Sequence, residues 1–119
     1  MATVKNFEEL KIWQESKDII LEIYTLFKNC KDFGFKDQIQ RAALSIMNNI
    51  AEGFERNSDA DFRRFLIIAK ASCGEVRSML YLTEDLKYLE NSKSQELIQR
   101  CVALSTSIGS FINYLSKKD

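Results

Sequence analysis

Apolar residues recur at steps of three and four along most of this chain, and short polar breaks divide the pattern into four segments. The organising stretch is residues 38–75. Before a break at Asn57-Ser58-Asp59, the residues Ile39, Ala43, Ile46, Ile50 and Phe54 share one helix face. After it, Phe62, Phe65, Leu66, Ala69, Cys73, Val76 and Leu80 share another. The first segment begins near Phe7, with Asn6 as its cap and Glu9 three residues on as a capping-box partner. Leu10, Trp13, Ile20, Tyr24 and Phe27 follow at near-heptad spacing, interrupted by Lys17. A second seam of Ile12, Ile19, Ile23 and Leu26 runs beside them, making a face broader than one core requires. That seam is ordinary breadth of core contact, a candidate oligomer interface or, in the alternative reading of the chain as a protein-binding module with no nucleic-acid role, the face that receives a different protein.

Residues 30–36 are expected to form a loop anchored by Phe33-Gly34-Phe35, its two rings folding back over the end of a core. A second helix is predicted over residues 37–56, weakened near its end by Gly53. Ser58 caps a third, with Asp59 and Asp61 at its positive N-terminus. This helix is expected to reach Tyr88 or Leu89, about 45 Å at 1.5 Å per residue, and Gly74 within it permits a bend or a close neighbour. Asn91-Ser92 is the next break, with Ser92 and Gln95 as a further capping box. The fourth helix aligns Leu97, Ile98, Cys101, Leu104, Ile108, Ile112 and Leu115, and Ser105, Ser107, Gly109 and Ser110 are small enough for close packing. The Lys117-Lys118 pair suits its negative end. Four helices joined by short connections predict an all-α, antiparallel, up-down-up-down four-helix bundle, a single domain over residues 1–119.

Composition narrows the reading. Proline is absent and there are four glycines in 119 residues, too few turn formers for an all-β chain. The 17 basic and 17 acidic side chains cancel, which argues against a purely electrostatic nucleic-acid binder but leaves room for a local patch. Between Arg56 and Arg77 five basic residues outnumber three acidic ones. The candidate nucleic-acid-binding residues are Arg41, Arg56, Arg63, Arg64, Lys70 and Arg77, because a guanidinium fork reads phosphate by paired hydrogen bonds. No aromatic–basic interleaving, helix-turn-helix or zinc-finger pattern accompanies them. A ring of copies would bring weak patches into one field.

Histidine is absent, which removes the usual general base, the commonest zinc ligand and the Ser-His or Cys-His nucleophile pair. The one candidate acid–base pair is Glu52 with Glu75, whose alternative is pairing of Glu52 with Arg56 or Asn48 and of Glu75 with Arg41 or Arg77. In that alternative Asn48, Asn49, Glu52, Ser72 and Glu75 form a structural polar network that fixes helix register without chemistry. Cys30, Cys73 and Cys101 show no metal or redox spacing, and an odd count fits a reducing compartment. No apolar run reaches membrane-spanning length, and the N-terminus lacks a signal-type core. The expectation is a cytoplasmic, non-enzymatic protein with no cofactor, metal or small-molecule substrate.

Three strings then carry a resemblance. Gln38-Ile-Gln-Arg-Ala-Ala-Leu-Ser-Ile46, Asn49-Ile-Ala-Glu-Gly53 and Phe62-Arg-Arg-Phe-Leu-Ile-Ile-Ala69, the last followed by Ala71-Ser72-Cys-Gly-Glu75, resemble the four-helix-bundle proteins encoded in 23S ribosomal RNA intervening sequences. Phe7-Glu-Glu-Leu-Lys-Ile-Trp13 and Ile23-Tyr24 fit the same pattern. The resemblance implies a four-helix bundle, often a homopentamer. It also implies similarity to the pentameric, basic accessory proteins of diversity-generating retroelements, which bind nucleic acid. This chain departs from the family in having Gln40-Arg41 where two adjacent basic residues are common, and Ala71-Ser72 where Gly-Ser is common. On this reading self-association and RNA or DNA are the implied partners, with Arg41, Arg56, Arg63 and Arg64 contacting phosphates around a ring.

Overall fold

The computed structural model describes residues 4–117; Lys118, expected above to face a helix end, lies outside them. A 3₁₀ turn, Phe7–Glu9, precedes four α-helices: α1 Lys11–Leu26, α2 Phe33–Glu55, α3 Asp59–Leu86 and α4 Asn91–Lys117. Sequence neighbours pack against each other and α1 packs on α4, so α1 and α3 occupy one diagonal and α2 and α4 the other. Contacts fix the directions. Ser45 meets Ser72 near the middle of α2 and α3, while Gly53 meets Phe62 and Phe65 at their joined ends. Cys73 meets Cys101, and Thr83 meets Ser94 closer to the α3–α4 connection. Leu10, Phe54, Phe62 and Leu115 gather at one end of the bundle; Phe27, Phe35 and Tyr88 gather at the other. Neighbours are therefore antiparallel, and the molecule measures 46 × 21 × 19 Å.

The core is aliphatic. Ile23, Ile39, Ile46, Ile50, Leu66, Leu80, Leu104 and Ile108 are fully buried. The broad face of α1 belongs to this core. Ile12, Ile19 and Ile23 are buried within the chain itself and Leu26 is half-buried, so the seam considered as an oligomer interface has no surface left to offer. The physical reason is geometric: with only 16 residues, α1 has to fill the groove between α2 and α4, and it needs both seams to do so.

Four boundaries differ from the sequence expectation. Asn6 and Glu9 do cap a turn, the Asn6 backbone N–H donating to Glu9 Oε2 at 3.0 Å, but the turn is 3₁₀ and Leu10 adopts extended backbone before α1 starts. The segment expected as a loop over residues 30–36 is mostly the first turn of α2. Asp32 Oδ1 accepts the Phe35 backbone N–H at 3.1 Å and caps the helix, so Gly34 lies inside it with no special conformation. Phe35 covers the core end as expected, with its ring 6.0 Å from Phe27 and 5.3 Å from Tyr88, but Phe33 is exposed. At the far end of α3, Lys87 takes a left-handed conformation (φ 58°) and Tyr88 donates its N–H to Thr83 at 3.0 Å, which stops the helix short of Tyr88. Ser92 does not cap α4: it lies within the helix, and the Gln95 amide donates to the Glu84 carboxylate on α3.

Gly53 and Gly74 exchange the roles expected of them. A β-carbon on Gly53 would lie 2.6 Å from Phe65 Cβ and 3.1 Å from Phe62 Cδ1, so this glycine is where α2 and α3 approach most tightly against a backbone. A β-carbon on Gly74 would meet nothing within 4 Å. At the opposite end, Tyr88 donates its O–H to Asp32 Oδ2 at 2.6 Å and ties the two connections together. That bond, with the Phe35 N–H, holds the Asp32 carboxyl below its ordinary range, and the same bond raises the Tyr88 hydroxyl.

Two outcomes follow. Gly53→Ala should destabilise by about 1–3 kcal/mol through overpacking, whereas Gly74→Ala should stabilise by roughly 0.5–1 kcal/mol through helix propensity; urea midpoints at unchanged m-value would separate them. Asp32's depressed pKa gives stability present above its unfolded value and lost as pH falls through its folded one. Tyr88's raised pKa gives stability present below its unfolded value and lost as pH rises through its folded one. The stability difference between wild type and Tyr88→Phe should therefore be full at neutral pH and shrink at both the acid and the alkaline end; a flat difference would contradict the bond.

Candidate functional site

The polar residues of α2 and α3 do meet along their seam, but in separate groups. Ser45 and Ser72 hydroxyls are 2.8 Å apart across the seam, and Asn49 Nδ2 donates to the Ser45 carbonyl at 2.8 Å and to Ser45 Oγ at 3.0 Å. Gln38 Nε2 donates to Glu75 Oε2 at 2.6 Å, so Glu75 pairs with neither Arg41 nor Arg77. Glu52 faces Arg56 one turn on, at 3.7 Å, and Asn48 is exposed. The expected single network thus resolves into Asn49–Ser45–Ser72, Gln38–Glu75 and Glu52–Arg56. Ser45 is its hub, and the spacing Ser45-x-x-x-Asn49 was the signal that placed both on one face.

The same register separates the two candidate carboxylates. Glu75 stands about one turn beyond the Ser45–Ser72 bridge, near the level of Ala42, where its side chain reaches Gln38; Glu52 stands about two turns on the other side of the bridge, toward the α2–α3 connection. The axial separation is on the order of 15 Å. No shared proton or dyad can form over that distance.

The basic candidates divide by flank. Arg41 is paired with Asp37 at 2.8 Å, Arg56 with Glu52 and Arg64 with Asp61 at 3.2 Å. Arg56 and Arg64 both lie over the Phe65 ring, with Cζ 5.0 and 5.6 Å from its centroid. Exposed pairs of this kind are worth about 0–1 kcal/mol, so they hold a guanidinium loosely. Arg63, half-buried and also engaged, shares a different flank with exposed Lys70 and Arg77 at seven-residue steps. The Lys70 side chain runs against α4, its Cε 3.4 Å from where a β-carbon of Gly109 would be.

Sequence reasoning missed one feature. On the outer face of α3, away from the core, Ile67, Ile68, Tyr81 and Leu82 are each 44–54% exposed, with Leu86 beyond them. Small residues Ala71, Gly74 and Ser78 lie between them. The signal was present: Ile67-Ile68 directly follow the core residue Leu66 and exceed what one face can bury. At one end of the bundle an aromatic groove of about 830 Å³ is lined by Leu10, Phe54, Phe62, Phe111, Tyr114 and neighbouring serines. Cys73 and Cys101 are core residues as expected. The Cys73 thiol donates to the Cys101 carbonyl at 3.2 Å; separately, the neighbouring Cys73 side chain, together with burial, pushes the Cys101 thiol up. Among the described residues no cluster of His, Cys, Asp and Glu is arranged to hold a metal ion, and no helix is long and apolar enough to cross a membrane.

A model of the 23S rRNA-intervening sequence protein family matches residues 8–110. Among solved structures the chain is similar to a Bacteroides thetaiotaomicron VPI-5482 protein of unknown function from the S23 ribosomal protein family. The TM-score is 0.79 at 25% sequence identity, covering 85% of this chain and 97% of that one. No curated protein matches in sequence.

Removing the two halves of the seam bridge should have unequal effects. Ser72→Ala leaves Ser45 bonded to Asn49 and should cost about 1 kcal/mol. Ser45→Ala strands the Ser72 hydroxyl and half of the Asn49 interaction, and should cost more in a urea titration. Equal losses would exclude Asn49 from the bridge.

Proposed function

The chain belongs to the 23S rRNA-intervening sequence protein family, and from that premise we propose that it is a non-enzymatic bundle that assembles with copies of itself and associates with nucleic acid. The observation that carries self-assembly is the exposed apolar face of α3. Two exposed apolar pairs on one helix, Ile67-Ile68 and Tyr81-Leu82, separated by small Ala71, Gly74 and Ser78 and by the Glu75 carboxylate, support a contact surface. Gly74 supports the same reading. A glycine inside a helix costs about 1 kcal/mol relative to alanine, and no neighbour within the chain requires it here. A second copy's helix could approach closely at that point.

The resemblance implies an assembly of five copies. Repetition around a ring would gather cations that a neutral chain carries only sparsely, and the loosely held guanidinium groups of Arg41, Arg56 and Arg64 can exchange a carboxylate for a phosphate. The separation of Glu52 from Glu75 favours a role without catalysis. In the second reading the same α3 face receives a different protein, and the helix-1 seam plays no part because it is buried.

The solution mass decides between them. Wild type should exceed the 13.8 kDa of one chain, and Ile68→Glu/Leu82→Glu should fall to that mass while keeping its helical circular dichroism. A wild type that is monomeric at high concentration would turn the reading toward a different protein partner. A double variant that keeps the full mass would remove α3 from the interface.

A further inference from the structure

The cations and acids of this neutral chain are not mixed evenly. From Phe62 to Thr83 the only acid on α3 is Glu75, and it is bonded to Gln38 on the α2 side. From Leu97 to Lys117 α4 has no acid at all. The flank where α3 meets α4 is therefore free of carboxylates over most of its length. Its cations stand in line: Arg63, Lys70 and Arg77 recur at seven-residue steps, about 10.5 Å apart along the axis. Lys70 lies against α4 at Gly109. Thr106 and Asn113, one turn before and after Gly109, are exposed on the same side of α4 and offer hydrogen-bond donors beside the cations.

We infer that this α3–α4 flank, with Lys70 and Arg77 at its centre, is the track on which the phosphodiester backbone of a nucleic acid lies. The inference deepens the nucleic-acid reading above and rests on it. It moves the principal contacts away from Arg41, Arg56 and Arg64, each of which already holds a carboxylate. A phosphate arriving there has to displace an acid, whereas among the described residues none pairs with Lys70 or Arg77. The track carries charge without aromatic stacking partners or a reading helix, so it grips backbone and not base edges.

The test compares three proteins, each checked for unchanged helical content: wild type, Lys70→Glu/Arg77→Glu and the charge-matched control Lys11→Glu/Lys28→Glu at the two ends of α1. Each is titrated against a labelled RNA hairpin and a labelled DNA duplex across a potassium chloride series. The α3–α4 variant should lose at least about tenfold in affinity, and its log–log salt slope should shrink by about two, one per lost phosphate contact. The control should change severalfold less. Loss on one probe alone supports the track and identifies the polymer. Equal losses in both variants, or none in the α3–α4 variant, would overturn the site while leaving nucleic-acid binding intact. No binding by wild type at low salt would overturn both.

Discussion

At Gly53 the α2 backbone comes so near Phe62 and Phe65 that no β-carbon fits, and the register of the α2–α3 hairpin follows from that contact. With the two helices joined by residues 56–58, an approach fixed at one end sets which residues are level further on. Ser45 is brought to Ser72 and Gln38 to Glu75 by this register, and Glu52 is left near the turn with Arg56. One packing constraint thus decides that two acids which could have met do not.

The same constraint rotates α3. Phe62, Leu66, Ala69, Cys73, Val76 and Leu80 are turned inward, so Ile67, Ile68, Tyr81 and Leu82 must face out. A helix with apolar residues on two faces can satisfy only one of them inside a four-helix bundle. The proposed self-assembly rests on this second face. The charged residues sort with the rotation too, the line through Lys70 and Arg77 being carried to the α4 side and Glu75 to the α2 side.

Polar anchoring divides between the ends and the middle. Asp32 with Tyr88 closes the end that holds the α1–α2 and α3–α4 connections, while buried Thr83 and Ser94 join α3 to α4 with hydroxyls 2.8 Å apart. An aliphatic core alone tolerates sliding of one helix along another. Directional bonds at buried or turn positions restrict it, because an unpartnered hydroxyl there costs more than a paired one returns.

Periodicity by itself determined four helices, their order and nearly all of the core, because burial on one face requires steps of three and four whatever the neighbours are. Ser58 as a cap and the pairing of Glu52 with Arg56 were equally legible, being local. Tertiary structure alone decided the rest. The Asp32 cap on α2 is itself a local bond to Phe35, but that its second carboxylate oxygen holds Tyr88 from 56 residues away followed only from the packing. Gly53 turned from a weakness into a contact, Gly74 from a contact into open space, and the second seam of α1 from a possible interface into core. Each outcome depends on which other helix lies alongside, a distance in space that spacing along the chain does not encode.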